Sequence, residues 1–295
     1  MVNRFWGELF GTGLVKTAGD FGAQGVTATH PELLDWLALS FVSSGWDMKA
    51  IYRKILMSAT YRQSSRVTPE LKEIDPENRL LSRGPRFRLD AEMIRDQALA
   101  AGGVLLNKIG GPGVKPYQPA GLWKAVGYTG SNTQTFSQDY GKALFRRSIY
   151  TFIKRTAPSP SMSLFNAPNR ESCVVVRERT NTPLQALALM NDPQYIDAAR
   201  HLAVRTANHG KTLDERIAYL SQILLARSLS GDDLETMKSS YQAFEKSYQA
   251  DIPAAKELVV EASEAVGGKI SPVELASWIM LANQMLNLDE VINKN

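Results

Sequence analysis

The sequence predicts a mainly α, helical bundle-like domain with a long loop-rich central insertion that carries one or two short β-strands. Three observations support this fold class. Apolar residues recur at helical spacing near both ends of the chain, Ser, Thr or Asp precedes most of these stretches, and glycine and proline interrupt the middle of the chain. The 295 residues are 44% hydrophobic and 22% charged, a composition typical of globular proteins and not of disordered ones.

The first predicted helix begins at Pro31 and ends near Gly45. Either a capping box over residues 29–32 or His30 itself begins it, because proline is well suited to the first helical position. Apolar residues then follow at helical spacing: Leu33, Leu34, Leu37, Ala38 and Phe41.

Two further helices follow in the N-terminal part. Asp47 is expected to cap the second, and the link at 45–46 is short enough to require a helical hairpin or corner. Asp90 begins the third, which ends at 102–103, where glycine can adopt the left-handed conformation that closes a helix.

The segment from about 103 to 180 is predicted as loop, with the glycine- and proline-rich stretch 110–116 forming a rigid turn. Residues 147–154 alternate in polarity, and 173–176 are mostly β-branched, so each is predicted as a short strand. Cys173 is expected to be a small buried apolar residue. As the only cysteine, it excludes an internal disulfide and the Cys-x-x-Cys-His attachment of a c-type haem.

Helices return in the C-terminal part. A capping box over 182–185 is expected to begin one that is buried on all sides, because 186–190 are uncharged. Asp192 and Thr212 begin two more, and others are expected at about 232–250 and 253–266. The last begins at 271–274 and presents an apolar stripe: Leu275, Trp278, Ile279, Ala282, Met285 and Leu286.

Charge divides the chain into two parts. Residues 1–180 carry 24 Lys and Arg against 15 Asp and Glu, a net charge of +9, whereas 181–295 carry 10 against 15, a net charge of −5. We therefore predict a basic helical and loop-rich part, 1–180, and an acidic helical-bundle part, 181–295, within one continuous domain.

The candidate site is a set of basic and polar residues in and after the central segment, with a histidine near the N-terminus. Arginine is suited to bidentate recognition of carboxylate, phosphate or sulfate, and a helix N-terminus offers free N–H groups to an anion. The alternative is that these arginines bind carboxylates and carbonyl groups internally and hold the loops together. The candidate ligand-binding residues are Arg146, Arg147, Tyr150, Lys154, Arg155, Arg179, Asn181, Thr182 and His30.

Several function classes lack their sequence signatures. The chain has no His-Glu-x-x-His, Gly-x-Ser-x-Gly or Gly-x-Gly-x-x-Gly pattern, and no metal site is predicted. No apolar run is long enough for a membrane span, and no known nucleic-acid-binding pattern accompanies the basic charge. Residues 1–6 do not resemble a signal peptide, and no cofactor is expected in this chain.

The sequence closely resembles the planctomycete family called domain of unknown function 1553 along its length. The motifs that carry the resemblance include Val2-Asn3-Arg4-Phe5-Trp6, His30-Pro31-Glu32-Leu33-Leu34, Arg146-Arg147-Ser148-Ile149-Tyr150 and the long run Arg179-Thr180-Asn181-Thr182-Pro183-Leu184-Gln185. The resemblance implies a C-terminal module of a larger exported protein, located outside the cytoplasm or in the periplasm. It also implies partners, namely upstream domains of the same polypeptide or a haem-containing protein, with haem c in the upstream domain.

Three functions are consistent with these expectations. The favoured one is an accessory module, not an enzyme, that binds an anionic ligand such as a saccharide, or a partner domain. The second is an enzyme acting on a polysaccharide or another anionic polymer, with His30, Asp35, Asp90 or Asp96 in its site. The third is a structural domain that docks a haem domain, which an apolar patch without a pocket would favour.

Overall fold

The computed structural model describes residues 1–260 and 270–294. Over these residues the protein is mainly α-helical, as predicted, with fifteen α-helices and one two-stranded sheet. The chain forms two compact units. The first contains Met1–Arg88, Cys173–Glu178 and the chain from Asn293, and the second contains Leu89–Ser172 and Arg179–Ile292. None of the described helices combines the length and the apolar character that crossing a bilayer requires.

The first unit contains five helices and the sheet. The helices are α1 (Val2–Phe10), α2 (Pro31–Ser43), α3 (Met48–Leu56), α4 (Ala59–Arg62) and α5 (Pro69–Ile74). The strands β1 (Phe87–Arg88) and β2 (Asn293–Lys294) pair antiparallel, with Phe87 opposite Lys294 and Arg88 opposite Asn293.

A small aromatic and aliphatic core holds the first unit together. Each fully buried large side chain in such a core contributes about 1.5–3 kcal/mol relative to exposure. The rings of Trp6 and Phe10 stack with centroids 4.1 Å apart. The buried Asn3 side chain fixes the loop after α1, because it both donates to the Val15 carbonyl (3.0 Å) and accepts from the Val15 amide (2.9 Å). The core residues are Val2, Trp6, Phe10, Leu14, Leu37, Phe41, Ile51 and Ile55.

The predicted helices α2 and α3 are confirmed, but the capping of α2 is not as expected. Asp47 accepts a hydrogen bond from the Ala50 amide (3.0 Å), as predicted for the cap of α3. His30 is the N-cap residue of α2 but makes no side-chain cap. The predicted capping box is wrong, because Thr29 directs its hydroxyl to the Leu14 carbonyl and to the His30 ring instead.

The second unit is built from ten helices among the described residues, together with two 3₁₀ turns at Gly141–Phe145 and Ser148–Tyr150. The first five are α6 (Ala91–Gly102), α7 (Leu122–Val126), α8 (Pro160–Leu164), α9 (Pro183–Asn191) and α10 (Pro193–His209). The rest are α11 (Leu213–Leu225), α12 (Asp232–Ala250), α13 (Ile252–Val259), α14 (Pro272–Leu286) and α15 (Asp289–Ile292).

Helix α14 is the central element of the second unit. The predicted apolar stripe is buried, and so are Ala276, Ser277 and Leu281 outside it. This helix is therefore surrounded, since α9–α13 and α15 all contact it. The predicted helix start at Thr212 is confirmed, and the structure shows a capping box there. Ser271 accepts from the Glu274 amide (3.1 Å). Of the helix expected at 253–266, the part from 261 onward lies outside the described residues.

The two segments predicted as strands do not form strands. In 147–154 the structure has a 3₁₀ turn, with only isolated bridges that pair Arg146 with Leu106 and Thr151 with Val114. Residues 173–176 lie in loop and are exposed, so Cys173 is not the buried residue that was expected. A β-branched sequence favours a strand only where a neighbouring strand offers a surface to pack against, and neither segment has one.

Candidate functional site

Two buried arginines organise the loop-rich central segment of the second unit. The guanidinium of Arg146 donates to the carbonyl oxygens of Gly110 (2.6 Å), Pro112 (2.7 Å) and Lys108 (3.2 Å). It also lies over the ring of Tyr150, with the guanidinium carbon 3.8 Å from the centroid. These contacts correspond to the structural alternative for Arg146, because its fork is occupied by the main chain and is not directed to a ligand.

Arg95 on α6 is the second of these arginines and is not among the residues predicted from the sequence. It donates to the carbonyl oxygens of Leu144 (2.6 Å) and Arg146 (3.0 Å) and to the Ser148 hydroxyl (3.1 Å). Its Nε donates to the side chain of Gln194 (2.8 Å). Burial lowers the pKa of Arg95. The sequence signal that could have found it is a lone arginine on an otherwise apolar helix face.

Arg147 lies on the outside of the same segment. Its Nε is 3.2 Å from a carboxylate oxygen of Asp96, and its side chain is 53% exposed. The other oxygen of Asp96 accepts from the Ser148 amide (2.7 Å), so this carboxylate caps the 3₁₀ turn. Asp96, which the sequence offers as a candidate catalytic carboxylate, therefore stabilises the loop.

Tyr150 and Lys154 also contact the main chain. The Tyr150 hydroxyl accepts from the Gly110 amide (2.7 Å), which fixes the turn at 110–113. The Lys154 ammonium donates to the Thr133 carbonyl (2.6 Å) and lies 5.1 Å from the ring centroid of the buried Trp123. Both side chains thus stabilise the central segment, with part of each still accessible to solvent.

Arg155, by contrast, is exposed and makes no hydrogen bond or ion pair with the described residues. Arg179 lies 3.9 Å from the carboxylate of Asp90 at the start of α6. Asn181 is exposed and Thr182 partly buried, directly before α9. Among the predicted ligand-binding residues of the second unit, the exposed arginines are Arg147 and Arg155.

His30 belongs to the first unit, at the start of α2, where its Nδ1 lies 3.0 Å from the Thr29 hydroxyl. Asp35, on the same helix, is exposed. These two candidate catalytic residues therefore lie in a different unit from Asp90, Asp96 and the arginines.

Helix α9 turns its polar side inward and its apolar side to solvent, the reverse of what is expected for a helix that packs on a core. Its polar Gln185 is buried, whereas Leu184, Leu187 and Met190 are 58%, 56% and 45% exposed. We call these three exposed residues the α9 face. The sequence predicted burial on all sides, which is wrong, since a helix without charges gives no signal of which side meets solvent.

Hydrogen bonds explain the orientation of α9. Gln185 donates to the Leu164 carbonyl (2.8 Å) and to the Thr180 hydroxyl (3.1 Å), which holds the polar side inward. On the same side, Leu189 is buried and its carbonyl accepts from the buried Asn283 of α14 (3.0 Å). The predicted capping box at Thr182 is wrong. The Gln185 side chain makes these contacts instead of bonding to the Thr182 backbone, and Thr182 forms no side-chain cap.

Titratable groups cluster where α10 begins. Asp192 caps α10 by accepting from the Gln194 amide (2.9 Å), and its burial raises its pKa. Burial also raises the pKa of the adjacent Tyr195. Burial is thus the main cause of both shifts, and the positive charge of Arg95 acts against it by lowering both pKa values. Among the described residues, no group of three or more His, Cys, Asp or Glu could hold a metal ion.

Comparison with known proteins gives one assignment. No curated protein and no solved structure matches the chain significantly. The family model for a protein of unknown function, DUF1553 (PSD1), matches residues 1–241. Since this match covers most of the 295 residues, the chain belongs to the DUF1553 family.

Proposed function

We propose that this chain is an accessory docking module that binds another protein domain through the α9 face. The observation that carries the proposal is the inversion of α9, which buries its glutamine and exposes two leucines and a methionine. Exposed contiguous apolar side chains on a well-packed unit mark interaction surfaces. The second unit has a complete core around α14, so the α9 face is not needed to stabilise it.

The chemistry of the α9 face suits a protein partner. From Pro183 to Asn191 the helix has no charged side chain, so a partner can cover it without removing water from an ion. Methionine adapts its shape to a neighbouring surface, and charged groups are depleted at the centres of interfaces. The hydrogen bonds of Gln185 hold the face in place before a partner arrives, which lowers the entropic cost of binding.

The partner we propose is another domain of the same exported polypeptide or a haem-containing protein. This follows what the family resemblance implies, namely a module that stands behind other domains in an exported protein. Any haem c would belong to that partner, since a single cysteine cannot form the Cys-x-x-Cys-His attachment. We prefer the docking function to the enzyme hypothesis because Asp96 and Arg146 already hydrogen-bond to main-chain groups.

An anionic ligand is a second candidate, because Arg155 is exposed and forms no hydrogen bond or ion pair with the described residues, and Arg147 is half exposed. Alanine at both positions should abolish binding of sulfated or uronic saccharides and leave the fold unchanged. Loss of the fold would instead make these arginines structural, and wild-type protein that fails to bind the saccharides would remove this candidate.

The docking proposal is tested with tagged chains returned to the source cells. Wild-type protein should be recovered in an assembly heavier than the 32.6 kDa chain, measured by light scattering and visible absorbance. The variant L184E/L187E should lose this assembly and keep its helical content. The control I109E changes a side chain that is 88% exposed in a loop of the same unit and should keep the assembly. Retention of the assembly by L184E/L187E would contradict the proposal.

A further inference from the structure

The hairpin of α2 and α3 in the first unit exposes a second apolar surface. On α2, Leu33, Leu34, Leu37 and Phe41 pack toward the core, while Trp36, Leu39 and Val42 occupy the opposite side at spacings of three. Leu39 is 71% exposed and Trp46, in the link to α3, is 60% exposed. Helix α2 is thus apolar on two sides, and its own unit covers only one of them.

A groove lies on the exposed side of α3, and Lys54 of α3 lies over the ring of Trp36 on α2. Two rows of side chains, each with a spacing of four residues, run along the exposed side of α3: Met48, Tyr52 and Leu56 in one, and Lys49, Arg53 and Met57 in the other. The space between them is about 510 Å³. Rows at this spacing form the ridges between which a ridge of a second helix packs. The shape of the groove therefore fits a helix.

The charges on α3 indicate what kind of partner helix fits the groove. From Met48 to Leu56, α3 carries three basic side chains and no acidic one. Lys49, Arg53 and Lys54 form no ion pair with any described residue, although the Lys54 ammonium lies 4.8 Å from the ring centroid of Trp36. The carboxylate of Glu8 on α1 acts on Tyr52 at the other side of the groove. The basic side is therefore the one that is complementary to a partner that brings carboxylates.

A second copy of this chain is a poorer occupant. A two-fold dimer through this face would bring the same surface of each copy together. The interface would then contain Lys49, Arg53 and Lys54 from both copies, and like charges oppose such a contact. A membrane is poorer too, because a lipid surface has no ridge to fill the groove.

We infer that the α2–α3 face, defined as Trp36, Leu39, Trp46, Met48 and Met57 with the basic edge Lys49, Arg53 and Lys54, binds an acidic amphipathic helix of a partner protein. The leucine, isoleucine or methionine residues of that helix fill the groove of α3. Its glutamates or aspartates pair with Lys49 and Arg53. This inference is independent of the α9 face, which lies in the other unit.

Two synthetic helical peptides of about 18 residues, or five turns, test it on the full chain. Both carry leucine on one side, and they differ only in having glutamate or lysine along its edges. Fluorescence anisotropy should show the acidic peptide binding wild-type protein roughly tenfold or more tightly than the basic one. The variant M48E should bind the acidic peptide more weakly by a similar factor, and the control I109E should bind it as wild type does.

Reversal of the basic edge gives the sharper result. In K49E/R53E the preference should invert, so that the basic peptide binds and the acidic one does not. A loss of folding cannot produce this inversion. Equal binding of both peptides, or of neither, would overturn the inference. Two other results would also overturn it: binding to phosphatidylcholine vesicles with about one quarter phosphatidylserine but to neither peptide, or a dimer in sedimentation that M48E dissociates.

Discussion

Arg95 donates a hydrogen bond to the carbonyl oxygen of Arg146, at 3.0 Å, so one buried arginine of the second unit positions the other. Arg95 fixes the backbone of Arg146 to α6, and the side chain of Arg146 then holds the turn at 108–112. Main-chain carbonyls in loops have no helix or sheet to pair with them, and a buried unpaired carbonyl is costly. Each guanidinium satisfies at least two of them.

Replacement of Arg146 by methionine should therefore destabilise the second unit. Methionine keeps the apolar volume but leaves three carbonyls without their donor. Each of these carbonyls that water does not reach should lower the free energy of unfolding by about 1–3 kcal/mol. We expect a lower midpoint in urea and faster proteolysis at 108–112. Arg155→Met is the matched control, because the exposed Arg155 has no hydrogen bond or ion pair within the described part of the chain. This change should alter stability by less than about 0.5 kcal/mol. Equal stability of both variants would contradict the structural role of Arg146.

The Asp96 carboxylate should matter more for stability than the arginine with which it pairs. Arg147→Ala removes only a half-exposed ion pair, so its cost should stay below about 1 kcal/mol. Asp96→Ala also removes the cap on the Ser148 amide and should cost about 1 kcal/mol more. Urea unfolding of the two single variants and the double variant separates these contributions. A larger loss for Arg147→Ala than for Asp96→Ala would contradict this account.

Asp192 should make stability depend on pH in the direction opposite to an ion-paired carboxylate. Burial raises its pKa above the ordinary value of 3.8, so the folded state binds its proton more tightly than the unfolded state does. Its favourable contribution is full below pH 3.8 and is lost as the pH rises through the raised pKa.

Asp192→Asn keeps a side chain that can cap α10 and removes this titration. The stability of the variant relative to wild type should therefore increase between about pH 3.5 and pH 7, the interval that spans the usual pKa values of Asp. Chemical unfolding at both pH values measures the difference. A relative stability that decreases over this interval would show that the carboxylate is stabilised in its charged form.

Two leucines on α9 provide a matched pair. Leu189 is buried and Leu187 is 56% exposed. Leu189→Ala should cost about 2–5 kcal/mol because it leaves a cavity. Leu187→Ala should change the stability of the isolated chain by less than about 0.5 kcal/mol. Similar losses in thermal unfolding at both positions would mean that α9 does not present the face described above.

Much of the fold follows from patterns that the sequence displays. The caps Asp47, Thr212 and Ser271 mark helix starts because short-range hydrogen bonds determine them. The strands expected at 147–154 and 173–176 are absent because a strand needs a distant partner, which local propensity does not supply. The strands that do form, at Phe87–Arg88 and Asn293–Lys294, join segments far apart in the chain.

The residues of the candidate site could be predicted from the sequence, but the contacts that their side chains make could not. The sequence shows that Arg146, Lys154 and Arg155 lie close together along the chain, but the same residue types serve either ligands or loops. Only the structure shows that the first two donate to carbonyls and that the third is exposed. The inversion of α9 was not predictable, because the side chain of Gln185 finds its partners at Leu164 and Thr180, in a different segment.

Hydroxyl-radical footprinting tests the docking proposal most directly, because it works whether the partner is covalently linked or not. The oxidation of Leu184, Leu187 and Met190 is compared between the isolated 295-residue chain and the native product from source cells. We predict strong protection of all three in the native product, with Ile109 oxidised equally in both samples. Equal oxidation of the α9 face in the two samples would contradict the proposal that a partner domain covers it.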